Sequence, residues 1–223
     1  MANFFLVEKP SQEKLRMICF VPAYCPSIAY MARLREQETI GLYVGSNYQK
    51  QTYRNRCKIH GANGVLQLSI PIVHQKNGSK QKDNQVQIFQ ESRWKKEHWK
   101  SIEAAYRSSP YFEFYEDDFA PFFQRETTGL MEFNSAIIQQ LVDILDWNKT
   151  LIKVDSLPED HSYSEDLLNA KIKDEPTHYP KYTQVFENKN GFLPNLSILD
   201  LLFNLGPETD SYLEQLPTKS SDF

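Results

Sequence analysis

Apolar positions along this chain fall into runs of strand and helix spacing, and those runs predict the elements. Residues 16 to 21 (RMICFV) are a short apolar run stopped by Pro22 and Pro26, which reads as a buried strand. Ser27 then stands where a helix cap belongs, with Ile28, Met31 and Leu34 spaced as a core stripe, so a helix is expected to about residue 36. A second strand is expected over 39 to 44. Residues 52 to 59 and 65 to 73 flank Gly61-Ala62-Asn63-Gly64, whose Asn-Gly step signals a hairpin turn. The second arm alternates from Leu66 to Ile72, the pattern of a half-buried strand.

Residues 74 to 84 (HQKNGSKQKDN) are polar and basic and read as a mobile loop beside the hairpin. A further strand is expected over 85 to 89, and a helix from Ser92 to about Arg107 with Trp99, Ile102 and Tyr106 inward. Residues 110 to 123 are the most aromatic stretch and carry Glu116-Asp117-Asp118. A helix over 130 to 147 packs Ile137, Leu141 and Ile144, and a strand follows at 150 to 154. Residues 155 to 178 are acidic and loop-like; 197 to 205 (SILDLLFNL) form a capped helix ended by Gly206-Pro207.

Strands that alternate with helices, interrupted by a strong hairpin, predict an α/β or α+β fold. The expected architecture is a single domain over 16 to 207 whose mixed sheet includes the antiparallel hairpin and is flanked by helices. Residues 1 to 15 are expected to be a flexible N-terminus and 208 to 223 a C-terminal tail.

Composition narrows the class. At 223 residues, with 40% hydrophobic and 13% aromatic content, the chain is too apolar for a disordered protein. No apolar run approaches the roughly 20 residues needed to cross a bilayer. Residues 1 to 14 carry neither a basic start nor a long apolar segment, so a cytoplasmic location is expected. Cys19, Cys25 and Cys57 are odd in number and lack Cys-x-x-Cys spacing, which signals neither a disulfide framework nor a zinc site.

Charge changes the picture more. Residues 1 to 110 hold 17 Lys+Arg against 8 Asp+Glu, a balance of +9, whereas 111 to 223 hold 8 against 21, or -13. Either the halves face each other, or the basic half binds an anion. The basic half concentrates its charge in residues 48 to 59. If that stretch is extended, Lys50, Arg54, Arg56 and Lys58 stand on one face, a cationic row suited to phosphate because Arg offers a planar fork and Lys a compact charge. Pairing with the acidic half is the plainer reading. Asn55, on the opposite face, can hydrogen-bond a substrate or a backbone group.

Other candidates are weaker. Asp117 and Asp118 can serve as a general base or metal ligands, or simply open a helix with acidic residues in its first turn. His98 lies inside an expected helix four residues after Trp94, either facing a site or held structurally. The histidines show no metal-ligand spacing, and there is no Gly-rich phosphate loop and no nucleophile elbow, so no metal or cofactor is implied. Basic residues confined to one hairpin in a net acidic chain argue against a nucleic-acid partner.

Several of these stretches resemble the WbqC-like protein family: Tyr24-Cys25-Pro26-Ser27-Ile28-Ala29-Tyr30, residues 48 to 57, and Asn63-Gly64 followed by Leu68-Ser69-Ile70-Pro71. The resemblance continues through Trp94, His98-Trp99, Ala105-Tyr106 and Ser109-Pro110-Tyr111-Phe112, and ends at Tyr182, Gln184-Val185-Phe186 and residues 196 to 202. It implies a bacterial protein of surface polysaccharide (O-antigen-type) biosynthesis, a transferase that moves glycine or another amino acid to a sugar. The partner expected from the cationic row is a phosphorylated small molecule or nucleotide-sugar, held by Lys50, Arg54 and Arg56. Tyr24, Tyr30, Asn55 and Gln184 would complete the substrate pocket, with His98 and Asp117 as the catalytic pair. The competing reading is a non-enzymatic binding or scaffold protein whose cationic strand docks an acidic partner.

Overall fold

In the computed structural model, residues 18–73, 81–157, 163, 166–168 and 179–217 are described. The chain enters with β1 (Cys19–Phe20), crosses through helix α1 (Ile28–Arg35) and returns as β2 (Thr39–Tyr43), parallel to β1 with Phe20 opposite Leu42. Ser27 caps α1 as its sequence position predicts: its Oγ accepts from the Tyr30 amide at 3.3 Å. Ile28, Met31 and Leu34 are buried. The centre of β2 is buried throughout, as befits the middle strand of a parallel sheet.

The hairpin forms a sheet of its own, β3 (Arg56–Gly61) against β4 (Gly64–Ser69), with Cys57 opposite Leu68. Its two-residue loop is Ala62-Asn63, and Gly64 closes it at φ +99, a conformation only glycine adopts freely. The first arm is shorter than expected: it starts at Arg56, and residues 50 to 55 turn rather than extend. The second arm is less buried than its alternation predicts, because Val65, Leu66 and Gln67 are all exposed at a sheet edge.

Helix α2 (Trp94–Tyr106) follows, then α3 (Phe112–Gln124), α4 (Leu130–Ile144) and β5 (Thr150–Val154). β5 adds to β2 in parallel, which gives the strand order β1-β2-β5. Residues 85 to 89, expected as a strand, form a short 3-10 turn (Asp83–Gln85) and isolated bridges, Ile72 to Ile88 and Gln87 to Gly129. The aromatic stretch is a helix, α3, in which Phe112, Tyr115, Phe119 and Phe123 turn inward. Its acidic residues therefore sit in the middle of a helix and not at its start.

The chain ends with α5 (Glu187–Asn190), α6 (Ile198–Leu205) and α7 (Thr209–Glu214). α7 buries Thr209, Tyr212 and Leu213. The region beyond residue 208, expected as a tail, thus contributes to the core as far as Leu216. Arg35 clamps it to α1 through a two-pronged pair with Asp210, at 2.7 and 3.0 Å, and Trp147 Nε1 donates to the same carboxylate. The α6 and α1 starts are tied by reciprocal backbone bonds, Ile28 N to Leu196 O and Ile198 N to Pro26 O. One continuous apolar cluster runs from β1 to α7, so the molecule is α/β, a parallel sheet and an antiparallel hairpin among helices. Among the described residues no helix is long and apolar enough to cross a membrane.

Candidate functional site

The turn that interrupts the expected cationic row is what builds the site. Because residues 50 to 55 do not extend, Arg54 points inward, where it is completely buried. Its Nε donates to both Asp83 carboxylate oxygens at 3.0 Å, its Nη2 donates to Ser46 Oγ at 3.1 Å, and Ser46 donates in turn to Asp83. A buried guanidinium needs such a carboxylate, since an unpaired charge in an apolar interior is unaffordable. Arg54 is therefore a structural centre of the site and not a surface ligand, which corrects the single-face row. Its Nη1 is buried with no partner among the described residues.

Beside this pair, Tyr48, Asn55 and Arg56 are half-buried. Tyr48 OH donates to Asn55 Oδ1 at 3.2 Å, and Asn55 Nδ2 donates to the Ile70 carbonyl at 2.9 Å, so the amide ties Tyr48 to the hairpin. Burial pushes the Tyr48 hydroxyl up to about 12, although the positive charges of Arg54 and Arg56 work against that rise. Arg56 is half-buried, and its Nε is a second buried N–H with no partner among the described residues. Lys58 lies over the Tyr53 ring at 5.5 Å and Lys50 is exposed. The structure thus gathers Tyr48, Arg54, Asn55 and Arg56. Residues 74 to 80, most of the basic loop expected beside them, lie outside the described residues.

A second group adjoins the first through the backbone. Asn134, on the core face of α4, donates through Nδ2 to both the Pro22 and Arg54 carbonyls, at 2.9 and 2.7 Å. It locks the Tyr24 segment to the Arg54 turn. Tyr24 OH meets His98 Nδ1 at 2.8 Å, both side chains buried, and the other side of the imidazole is turned to the Ser69 carbonyl. Desolvation lowers His98 to about 4, so the ring is neutral and accepts from Tyr24. Trp94 and Phe133 pack around the pair, with ring centroids 5.2 Å from His98 and 6.0 Å from Tyr24. All three cysteines are free and buried.

The remaining expected residues sit elsewhere. Tyr30 is buried and donates to the Val21 carbonyl at 3.1 Å. Gln184 is also internal: its Nε2 donates to Asp200 at 2.8 Å and to the Leu193 carbonyl at 2.9 Å, and its Oε1 accepts from the Leu193 amide. It shares one oxygen, Oδ2, of a buried carboxylate with Tyr182, which donates to it at 2.6 Å; desolvation nevertheless raises Asp200. Asp117 does line an opening, a cavity of about 330 Å3 between α3 and α4, together with Asp118, Phe122, Arg125 and Glu132. Desolvation, then the charge of Asp117, raises Asp118. Phe133 lines that cavity and also packs on Tyr24, so it stands between Asp117 and the His98 pair.

Sequence reasoning passed over Asp83, Ser46 and Asn134. Asn134 left a trace, a single amide in the otherwise apolar stripe Leu130, Ile137, Leu141. Asp83 left none, because its partner is 29 residues away.

Comparison with known proteins places the chain in a family. The sequence profile of the WbqC-like protein family matches residues 22–179 and 169–212. The chain is similar to the uncharacterised protein Rv1507c of Mycobacterium tuberculosis, 25% identical over 218 residues, covering 85% of this chain and 94% of that one. No solved structure matches. The profile spans the Tyr24 segment, the Arg54 turn, α2 and α4: the chain belongs to the WbqC-like protein family.

Proposed function

We propose that this protein is a transferase of surface polysaccharide biosynthesis that binds a phosphorylated donor or acceptor at the Tyr48–Arg56 face and moves glycine or another amino acid to a sugar. The observation that carries the anion site is Arg56, half-buried beside the exposed Lys50, with a buried Nε that has no partner among the described residues and a charge that acts on Tyr48. Phosphate oxygens are the natural acceptors for such donors. Asp83 fixes the Arg54 fork, Asn55 fixes Tyr48, and Arg56 with Lys50 supplies the contacts that reach a ligand. The transfer chemistry rests on family membership, with neutral His98 and its Tyr24 proton as the candidate relay.

The test is a thermal-denaturation screen with nucleotides, nucleotide-sugars and inorganic pyrophosphate, repeated with Arg56→Ala and Lys50→Ala. Stabilisation by a phosphorylated ligand that Arg56→Ala removes supports the proposal. No stabilisation, or stabilisation indifferent to both variants, overturns it. A second reading, a binding protein without catalysis, draws on the internal pairing of Arg54 and is favoured if a ligand binds but is never turned over.

A further inference from the structure

The Tyr48–Arg56 face leaves unused a larger opening in the molecule, a cavity of about 540 Å3 over the face of β2 and β5, closed on one side by α4. Its volume falls in the range of small-molecule sites. Leu42 from β2, Val44 just beyond its end, and Leu151 and Lys153 from β5 make its floor, alternate residues that share one sheet face, and Met131 adds to it from α4. Leu42, Val44 and Lys153 lie at the carboxyl ends of the parallel strands, the end at which open α/β sheets place their ligands.

The polar lining is mostly uncharged, Asn84, Gln87, Gln139, Thr128 and Ser135, with Glu132 and Lys153 as its charged members and Lys153 paired with Asp155 at 3.7 Å. Amides and hydroxyls each donate and accept, so they suit a ligand whose rim does the same. The described residues lining the cavity include no aromatic, so there is no platform on which a nucleobase would stack. An aliphatic floor with an amide and hydroxyl rim fits a ring with an apolar C–H face and hydroxyls at its edge.

The cavity is also coupled to the buried arginine. Adjacent residues of one turn serve both: Asp83 pairs with Arg54 inside, whereas Asn84 lines the cavity. That turn is pinned to the end of β2 by Asp83 N to Ser46 O and Asn84 N to Val44 O, each 2.9 Å.

We infer that the sheet-face cavity is a second site, which binds a neutral sugar ring separately from the anion site. The assignment goes beyond the phosphate reading and does not require it. In an NMR titration of the 15N-labelled protein with neutral hexoses and N-acetylhexosamines, amides of residues 42 to 44, 131 to 139 and 151 to 153 shift saturably at millimolar sugar. Ser135→Phe, which fills the cavity, weakens binding at least tenfold, and Arg56→Ala leaves it unchanged. If Ser135→Phe loses its dispersed spectrum, Gln87→Ala on the exposed rim decides, with several-fold weaker binding expected. No saturable shift with any neutral sugar, shifts mapping elsewhere, or shifts indifferent to the variant at the cavity would overturn the inference. Loss of binding in Arg56→Ala also overturns it, by placing the sugar at the anion site. Failure of phosphorylated ligands to stabilise the protein sinks only the anion site and leaves this result standing.

Discussion

Arg54 shows how a single residue can change the reading of a whole segment. From spacing alone it belongs to a surface row; in the fold it is the most enclosed charge on its turn, and what decides this is Asp83. Removing one partner of such a pair leaves the other buried and uncompensated, so Asp83→Ala should lower stability by about 3–5 kcal/mol in urea denaturation. Replacing both, Arg54→Met with Asp83→Leu, should recover most of that loss; if the double variant is as unstable as the single, the pair does more than satisfy its own charges. His98 gives a pH signature. Its folded pKa, about 4, lies below the ordinary 6.5, so between those values the unfolded chain binds more protons and stability falls as pH drops. The contribution is intact above pH 6.5 and lost by pH 4, about 3 kcal/mol in full. His98→Phe should remove that part of the pH dependence, measured by urea denaturation at a series of pH values. An unchanged slope would mean that His98 is not held neutral. Neither the Asp83 pairing nor the Tyr24 contact could be read locally, because each joins residues far apart in sequence.

At the scale of elements, legibility followed locality. α1 and α6 could be read from their serine caps, and β5 from its β-branched run, and all three stand where the sequence puts them. α3 was present in the sequence as the spacing of Phe112, Tyr115, Phe119 and Phe123, but flanking Phe114 and Phe122 and an internal Pro121 blur that period. α7 is short and polar on its exposed side, and its place in the core depends on Arg35 and Trp147 from distant elements. Its junction with α6 is a demanding point. Gly206 has φ +54, and a Cβ there would come within 2.5 Å of the Tyr111 ring. Gly206→Ala combines backbone strain with a clash and should destabilise by about 3 kcal/mol or more. Gly64→Ala, also at positive φ but with open space around it, should lose only about 1–3 kcal/mol. Equal losses in the two variants, compared by urea denaturation, would remove the Tyr111 contact from the account.

For the molecule as a whole, the opposed charges of the two halves are only partly answered by contact. Arg35 with Asp210 and Glu214, and Arg107 with Glu116, cross between the halves, whereas Arg54 pairs within its own. Lys50, Arg56 and Lys58 have no ion pair among the described residues, so the basic half keeps a positive face beside Tyr48, and an anion drawn to it should bind less tightly as salt rises. The α/β class, the hairpin and the family were legible along the chain; the cavity on the parallel sheet was not, since β2, β5 and α4 meet only in three dimensions. The most direct measurement is calorimetric titration of inorganic pyrophosphate into the wild-type protein and Arg56→Ala at two salt concentrations. Saturable binding that weakens at least tenfold in the variant and falls with salt is the predicted result. Binding of equal strength in both proteins, or none in either, would contradict an anion site built on the Arg54 turn.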